Sequence, residues 1–188
     1  MSILDLPQAD LDHVLCHTSG WEALRGQRLL LTGGTGFIGK WLLGTFLHAN
    51  RTLGLNARVV VLSRNVARFQ AEQPGMAKAP EIEWLQSDVR NFELSPVQRC
   101  SHVIHAATDV VASQPASEIF DSCVRGTRQV LQQMQLTDGQ RMLLLSSGAV
   151  YGRTPSTLDH IPEDWTGAPD CLATAAAYGE GKRASELL

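Results

Sequence analysis

Residues 29–43, LLLTGGTGFIGKWLL, carry glycines at the spacing of two different phosphate-binding loops. From Gly34 the stretch reads G-x-x-x-x-G-K, close to the loop of a nucleoside triphosphatase, and also G-x-G-x-x-G, the turn that holds a dinucleotide. The residue after Lys40 separates the two readings. A triphosphatase places Ser or Thr there to ligate the magnesium ion that bridges the phosphates, whereas this chain has Trp41, which offers no oxygen. No later strand ends in an obvious acidic metal ligand, so the dinucleotide turn is the reading retained.

The surroundings of the loop support it. Short apolar runs recur along the chain: RLLLT at 28–32, ARVVVLS at 57–63, IEWLQ at 82–86, HVIHAA at 102–107 and RMLLLSS at 141–147. Each is nearly continuous, as expected of strands buried on both faces. Helical patterns separate several of them, clearly FIGKWLLGTFLHAN after the first and SEIFDSCVRGTRQVLQQMQ before the last. Strand and helix in alternation predict an α/β fold, a doubly wound parallel sheet of the Rossmann type. Residues 1–26 read as a helical lead-in and 27–188 as the dinucleotide-binding domain. The loop then follows the first strand and opens the first long helix. Gly33 allows the tight turn, Gly36 lets the backbone approach a pyrophosphate and Gly39 permits close packing of helix on strand. Thr35, Phe37 and Ile38 complete the expected cofactor loop.

The second strand bears on which dinucleotide is bound. An NAD site usually places Asp or Glu about 20 residues beyond the loop, on the ribose 2′-hydroxyl. From Lys40 through Ala71 there is no acidic residue, and the strand ends in Ser63 and Arg64. A hydroxyl and a guanidinium suit a 2′-phosphate, so NADP is expected in preference to NAD.

Length and charge bound the rest. The chain has 188 residues and a formal net charge of -3, enough for one domain with a sizeable core. Its basic residues are scattered along the sequence, which gives no footprint for nucleic acid or an anionic membrane surface. Cys16, Cys100, Cys123 and Cys171 lie far apart, as expected of reduced thiols in the cytoplasm rather than a disulfide framework or zinc site. No stretch is long and apolar enough for a membrane span, and the N-terminus does not read as a signal peptide. His105 reads as a strand-end histidine near the cofactor and not as a metal ligand, since no second ligand lies at metal spacing.

Near the end, in AYGEGKRASELL, Tyr178 and Lys182 stand four apart, on one face of a helix. A nearby ammonium stabilises a phenolate, which suits a phenol to exchanging protons near neutrality. Ser147, after the fifth strand, adds a hydroxyl at the carboxyl edge of the sheet, where ligands bind in this architecture.

Taken in order, TGGTGFIG, SDV, HAA, SSGAVYG and YGEGK resemble the short-chain dehydrogenase/reductase superfamily, in its extended branch of nucleotide-sugar epimerases, dehydratases and reductases. The resemblance runs from about Arg28 to the last residue. It implies that Ser147, Tyr178 and Lys182 form the catalytic triad, that Asp88 and Val89 flank the adenine, that Ala106, Ala107 and Thr108 line the cofactor, and that Lys182 also binds the nicotinamide ribose. It further implies a nucleotide-sugar substrate, with a homodimer left open. Two departures qualify this. Cys123 in CVRGT stands where the family commonly has asparagine, and Gly148 and Ala149 follow Ser147 where sugar dehydratases carry acidic residues. The expected activity is therefore NAD(P)-dependent epimerisation or reduction, with a cofactor-binding fragment or sensor without turnover as one alternative and a sugar dehydratase as another. Extended members continue for over a hundred residues past the Y-x-x-x-K helix, so the substrate domain is expected to be largely missing from a chain that stops at Leu188.

Overall fold

The computed structural model describes residues 6–108, 114–134 and 139–188; the first five residues of the lead-in lie outside it. Five strands, β1 (Arg28–Thr32), β2 (Arg58–Ser63), β3 (Ile82–Gln86), β4 (His102–His105) and β5 (Arg141–Leu144), form one parallel sheet in the order β3-β2-β1-β4-β5. The chain begins at the centre, winds outward to β3, then returns past β1 to β4 and β5. Strand order reverses at the β1/β4 boundary, the position where such sheets open a ligand crevice at their carboxyl ends. The lead-in folds as α1 (Gln8–His17) and a 3-10 turn at Trp21–Leu24.

Alternation along the inner strands distributes the core to two faces. Leu29, Leu31, Val59 and Val61 point to one side, where they meet Leu43, Phe46 and Leu47 of α2 (Phe37–Thr52) and Leu11 of α1. Leu30, Val60, Leu62 and Val103 point to the other, against Val130 and Met134 of α5 (Ala116–Met134). Between β2 and β3 lie α3 (Val66–Glu72) and α4 (Pro74–Ala77), and the chain closes with α6 (Ala176–Leu187). The connection from α2 into β2 is fixed by one buried amide: Asn50 Oδ1 accepts from Ala57 N at 2.9 Å while its Nδ2 donates to Ala57 O at 3.2 Å.

The expectation that every strand is buried on both faces holds for β1 and most of β2 only. β3 is mostly half-buried and β5 alternates between exposed and half-buried, with Leu143 57% exposed. Both are edge strands, and burial declines from the centre of the sheet outward. The apolar runs at 102–107 and 141–147 also end as strands two and three residues early, at His105 and Leu144. Ala106 N still donates to Thr32 O at 3.2 Å and Leu145 N to His105 O at 3.0 Å, and the residues beyond supply groups to the carboxyl edge.

Candidate functional site at the carboxyl edge of the sheet

The loop between β1 and α2 is built by contacts that exclude side chains. Gly33 has φ 71, and a Cβ there would lie 2.7 Å from the carbonyl carbon and oxygen of Ala106. A Cβ on Gly39 would lie 2.1 Å from Gly33 O and 2.6 Å from Gly34 Cα. The first turn of α2 thus presses directly on the loop. Gly36 is the N-cap and offers no side-chain cap, so the first-turn N–H groups are left for an external acceptor. An exposed helix N-terminus with uncapped N–H groups fits a phosphate.

Across the loop lies a cleft of about 390 Å³. It gathers Gly33, Thr35 and Gly36 from the loop, Ser63 and Arg64 after β2, Asp88 and Val89 after β3, and Ala106, Ala107 and Thr108 after β4. These ten were all singled out in the sequence. Phe37 and Ile38 do not line it; they sit on the first turn of α2, 77% and 55% exposed, and Gly39 is buried under the loop. The Ser63 hydroxyl is 3.2 Å from Thr35 Oγ1 and accepts from Asn65 N, tying the end of β2 to the loop. Asp88 is gripped by Arg90, whose Nε and Nη2 donate to its two oxygens at 2.9 and 3.0 Å, and Arg90 Nη1 reaches Glu118 of α5 at 2.6 Å. The Arg90 hydrogen bonds, with a smaller contribution from the Arg64 charge, hold the Asp88 carboxyl below the usual carboxylate range.

Sequence reading missed Asn65, Arg68, Glu72, Ser87 and Ser122 in the same lining. Asn65 caps α3 by accepting from Arg68 N, and Arg68 Nε donates to Glu72 Oε1 at 2.7 Å. Glu72 is the first acid after the acid-free stretch that ends at Ala71, so the cleft does contain a carboxylate near Arg64, on a helix and not at the strand end.

Beneath the cleft, a hydrogen-bond chain crosses the switch point. Thr32 Oγ1 accepts from Ala106 N and Ala107 N at 3.1 and 3.0 Å and lies 2.7 Å from His105 Nδ1. Both lone pairs of that hydroxyl are taken, so its proton goes to Nδ1, and the ring proton of His105 sits on Nε2, donated to Thr127 Oγ1 at 3.2 Å. Thr127 Oγ1 in turn donates to Cys123 O. A neutral imidazole completes this chain. Burial, with the charge of Lys182 behind it, pushes the His105 pKa down to about 4. Because the unfolded chain takes up the proton near 6.5, stability falls as pH drops through 6.5 and levels off below about 4, a loss of about 3 kcal/mol. Urea unfolding at pH 7, 5.5 and 4.5 should show this slope, and His105→Asn should make it shallower, leaving the part due to His102 and the paired carboxylates.

Ser147 is half-buried at the N-cap of a 3-10 turn, Gly148–Tyr151. Its Oγ accepts from Ala149 N at 3.2 Å, which leaves the hydroxyl proton to donate. On α6, Lys182 is 3% exposed and donates from Nζ to Leu145 O at 2.7 Å, with Nζ 6.0 Å from the centroid of the half-buried Tyr178 ring. Desolvation moves the Lys182 pKa down. The two glycines of this helix are required by packing: a Cβ on Gly179 would lie 2.6 Å from Ala149 O, and one on Gly181 2.9 Å from Cys123 Cβ. Cys123, at the position of the family's asparagine, is thereby buried in the α5–α6 contact, and its carbonyl accepts from Ser185 Oγ. Cys16, Cys100, Cys123 and Cys171 form no disulfide among the described residues. Among the described residues no group of His, Cys, Asp or Glu could hold a metal ion, and no helix is long and apolar enough to cross a membrane.

The sequence model described as "NAD dependent epimerase/dehydratase family" matches residues 29–188. The chain belongs to this family. It is 27% identical over 161 residues to UDP-glucuronic acid decarboxylase 3 of Arabidopsis thaliana, covering 86% of this chain and 45% of that protein. It is 26% identical over 172 residues to UDP-glucose 4-epimerase of Neisseria meningitidis serogroup C, covering 86% and 47%. Among solved structures, UDP-glucuronic acid 4-epimerase from Bacillus cereus in complex with NAD superposes with a TM-score of 0.68 at 20% identity, over 85% of this chain and 50% of that one. The chain spans about half the length of these family members. The Rossmann-type sheet read from the sequence is therefore the family's fold, and this half carries the glycine loop and the Y-x-x-x-K helix.

Proposed function

We propose that this chain is the cofactor-binding and acid/base half of an NAD(P)-dependent enzyme that transfers hydride at a carbinol or keto carbon of a nucleotide-activated sugar. What supports the proposal is that the uncapped glycine loop follows β1 and Ser147 follows β5, both at the carboxyl ends of the strands, while Tyr178 lies beside the buried Lys182 that donates to Leu145 O; Ser147, Tyr178 and Lys182 do not themselves line the cleft. A bound nicotinamide dinucleotide would supply or accept the hydride. The chain's own groups would do the rest: Ser147 donates a hydrogen bond to the substrate oxygen, and Tyr178 exchanges the hydroxyl proton at its Oη. Lys182, buried and fixed on Leu145 O, sets its Nζ 6.0 Å from the centroid of the phenol ring, where it can support that exchange. By the family resemblance it would also hydrogen-bond the cofactor ribose. UDP-glucuronic acid decarboxylase 3 and UDP-glucose 4-epimerase support the sugar nucleotide as substrate, since their names specify UDP-sugars. They accommodate a dehydratase equally, and the absence of an acid after Ser147 is what favours epimerisation or reduction. Product analysis with a panel of UDP-sugars and both cofactors tests this, by chromatography for epimerisation, in which the cofactor is regenerated, and by absorbance of the reduced cofactor for net oxidation or reduction; turnover with none of them in a form of the protein that binds both partners would leave only a cofactor-binding role.

NADP over NAD is part of the same proposal. Arg64 and Arg68 both line the cleft next to Ser63, and Glu72, the acid nearest them in sequence, already has Arg68 as its partner. Calorimetric titration should give tighter binding of NADPH than NADH, and Arg64→Ala should weaken NADPH roughly tenfold with little effect on NADH, the scale for one charge-assisted hydrogen bond. Tighter NADH binding by the unaltered protein would reverse the assignment.

A further inference from the structure

At the opposite, amino edge of the sheet the fold assembles a second polar cleft, of about 480 Å³, lined by Gln27, Arg28, Asn56, Arg58, Arg99 and Ser101. About five residues of strand, roughly 17 Å, separate it from the glycine loop. Arg28 and Arg58 are paired in the β1–β2 register, so two like charges start neighbouring strands, an arrangement that costs stability by itself. Their neutralisation is incomplete. Glu83 serves both, at 2.9 Å from Arg28 Nη2 and 3.9 Å from Arg58 Nη1. The next acid, Glu81, is held by the bidentate fork of Arg51 at 2.7 and 3.0 Å. Arg28 Nη1 donates to Val97 O, and its Nε is buried without a hydrogen-bond partner. Arg99 is exposed and makes no ion pair with any described residue, and the side-chain amides of Gln27 and Asn56 are likewise uncommitted. The cleft thus concentrates positive charge in a chain whose net charge is -3.

We propose that this cleft is an anion site for a phosphate dianion, free or as the monoester of a small molecule. Arg99 presents a planar fork that matches phosphate oxygens, and Arg58 adds its Nε and Nη2, its Nη1 being turned to Pro80 O at 3.4 Å. The Asn56 and Gln27 amides add neutral donors, while Arg28 forms the cationic floor, its Nη groups engaged within the protein. The volume suits a small ligand, and the charge is confined to one concavity, which excludes the long basic track of a nucleic-acid surface. The site is independent of the glycine loop and of the hydride-transfer reading.

Amide chemical shifts of the purified protein, titrated with glycerol 3-phosphate, inorganic phosphate and chloride at matched ionic strength, test the proposal. Saturable shifts centred on Gly26, Asn56 and Ser101 are expected with the phosphates and not with chloride. The amides of Gly33–Gly39 report separately on any occupancy of the cofactor loop. Arg58→Gln and Arg99→Gln should each raise the midpoint roughly tenfold, the scale for losing one charge-assisted hydrogen bond, while leaving dinucleotide binding unchanged. A lower midpoint for the ester than for inorganic phosphate identifies an organic ligand, and equal midpoints identify the free ion. Shifts that chloride reproduces, that persist in both variants, or that never saturate would overturn the proposal.

Discussion

Tyr178→Phe is expected to lower turnover by roughly 10²-fold or more while leaving dinucleotide affinity nearly intact, the scale for losing one positioned proton-transfer group. The substitution removes only Oη. The ring stays half-buried beside Lys182, whose Nζ is 6.0 Å from its centroid and anchored on Leu145 O. Hydride cannot leave a carbinol carbon unless the hydroxyl proton also leaves, and Tyr178 Oη is the group proposed to take it. Ser147 retains its hydrogen bond from Ala149 N and can still orient substrate. Lys182→Ala should behave differently. It removes both the charge beside the phenol and the donor suited to the cofactor ribose, so affinity and turnover should fall together. Steady-state assays paired with cofactor titrations separate the two outcomes, and a Tyr178→Phe protein with near-normal activity on any sugar nucleotide would reduce the Y-x-x-x-K spacing to a helix surface.

The second large effect is expected at Gly39. A methyl group there would lie 2.1 Å from Gly33 O and 2.6 Å from Gly34 Cα, contacts that only backbone movement can relieve. Overpacking of this kind typically costs 1–3 kcal/mol or more, and the atoms that must move are those of the phosphate loop. Gly39→Ala should therefore weaken dinucleotide binding by about 10²-fold with the sheet preserved in far-UV circular dichroism. Gly54→Ala makes a useful comparison, because no atom lies within 4 Å of the added carbon and the position is remote from the loop, although its φ of 58 adds local strain. Only the first substitution should affect the cofactor.

The sheet was legible because its strands are short apolar runs separated by helical patterns, and β1 and β3 fall at the stretches read for them, Arg28–Thr32 and Ile82–Gln86. Most of the cleft was legible for two reasons: Ser63 was read from its place at the end of the second strand, where a parallel sheet places its ligands, and Asp88 and Ala106 from the resemblance of SDV and HAA to the family's motifs. Arg68 and Glu72 could not be read in either way. They enter the cleft from the next helix, one and two turns beyond Arg64, and an argument built on the absence of acids as far as Ala71 stops one residue short of the carboxylate that lines it. The neutral tautomer of His105 was equally hidden, because it depends on the two N–H groups that Thr32 Oγ1 accepts across strands. The same limit applied to charge. Basic residues scattered along the sequence became, at Arg28, Arg58 and Arg99, one cationic cleft, because neighbouring strands begin at the same edge. Burial at the margins followed strand position in the sheet, which composition does not encode, and Leu143 is exposed on an edge strand despite its apolar surroundings in sequence.

A crystal structure of the protein with NADP(H) bound tests the central claim most directly. The account predicts the pyrophosphate on the backbone of Gly33–Gly39, the adenine end between Asp88 and Arg64, and the nicotinamide end on the side of Ser147, Tyr178 and Lys182. A dinucleotide bound elsewhere, or one seated on the loop with its nicotinamide directed away from Tyr178, would contradict it.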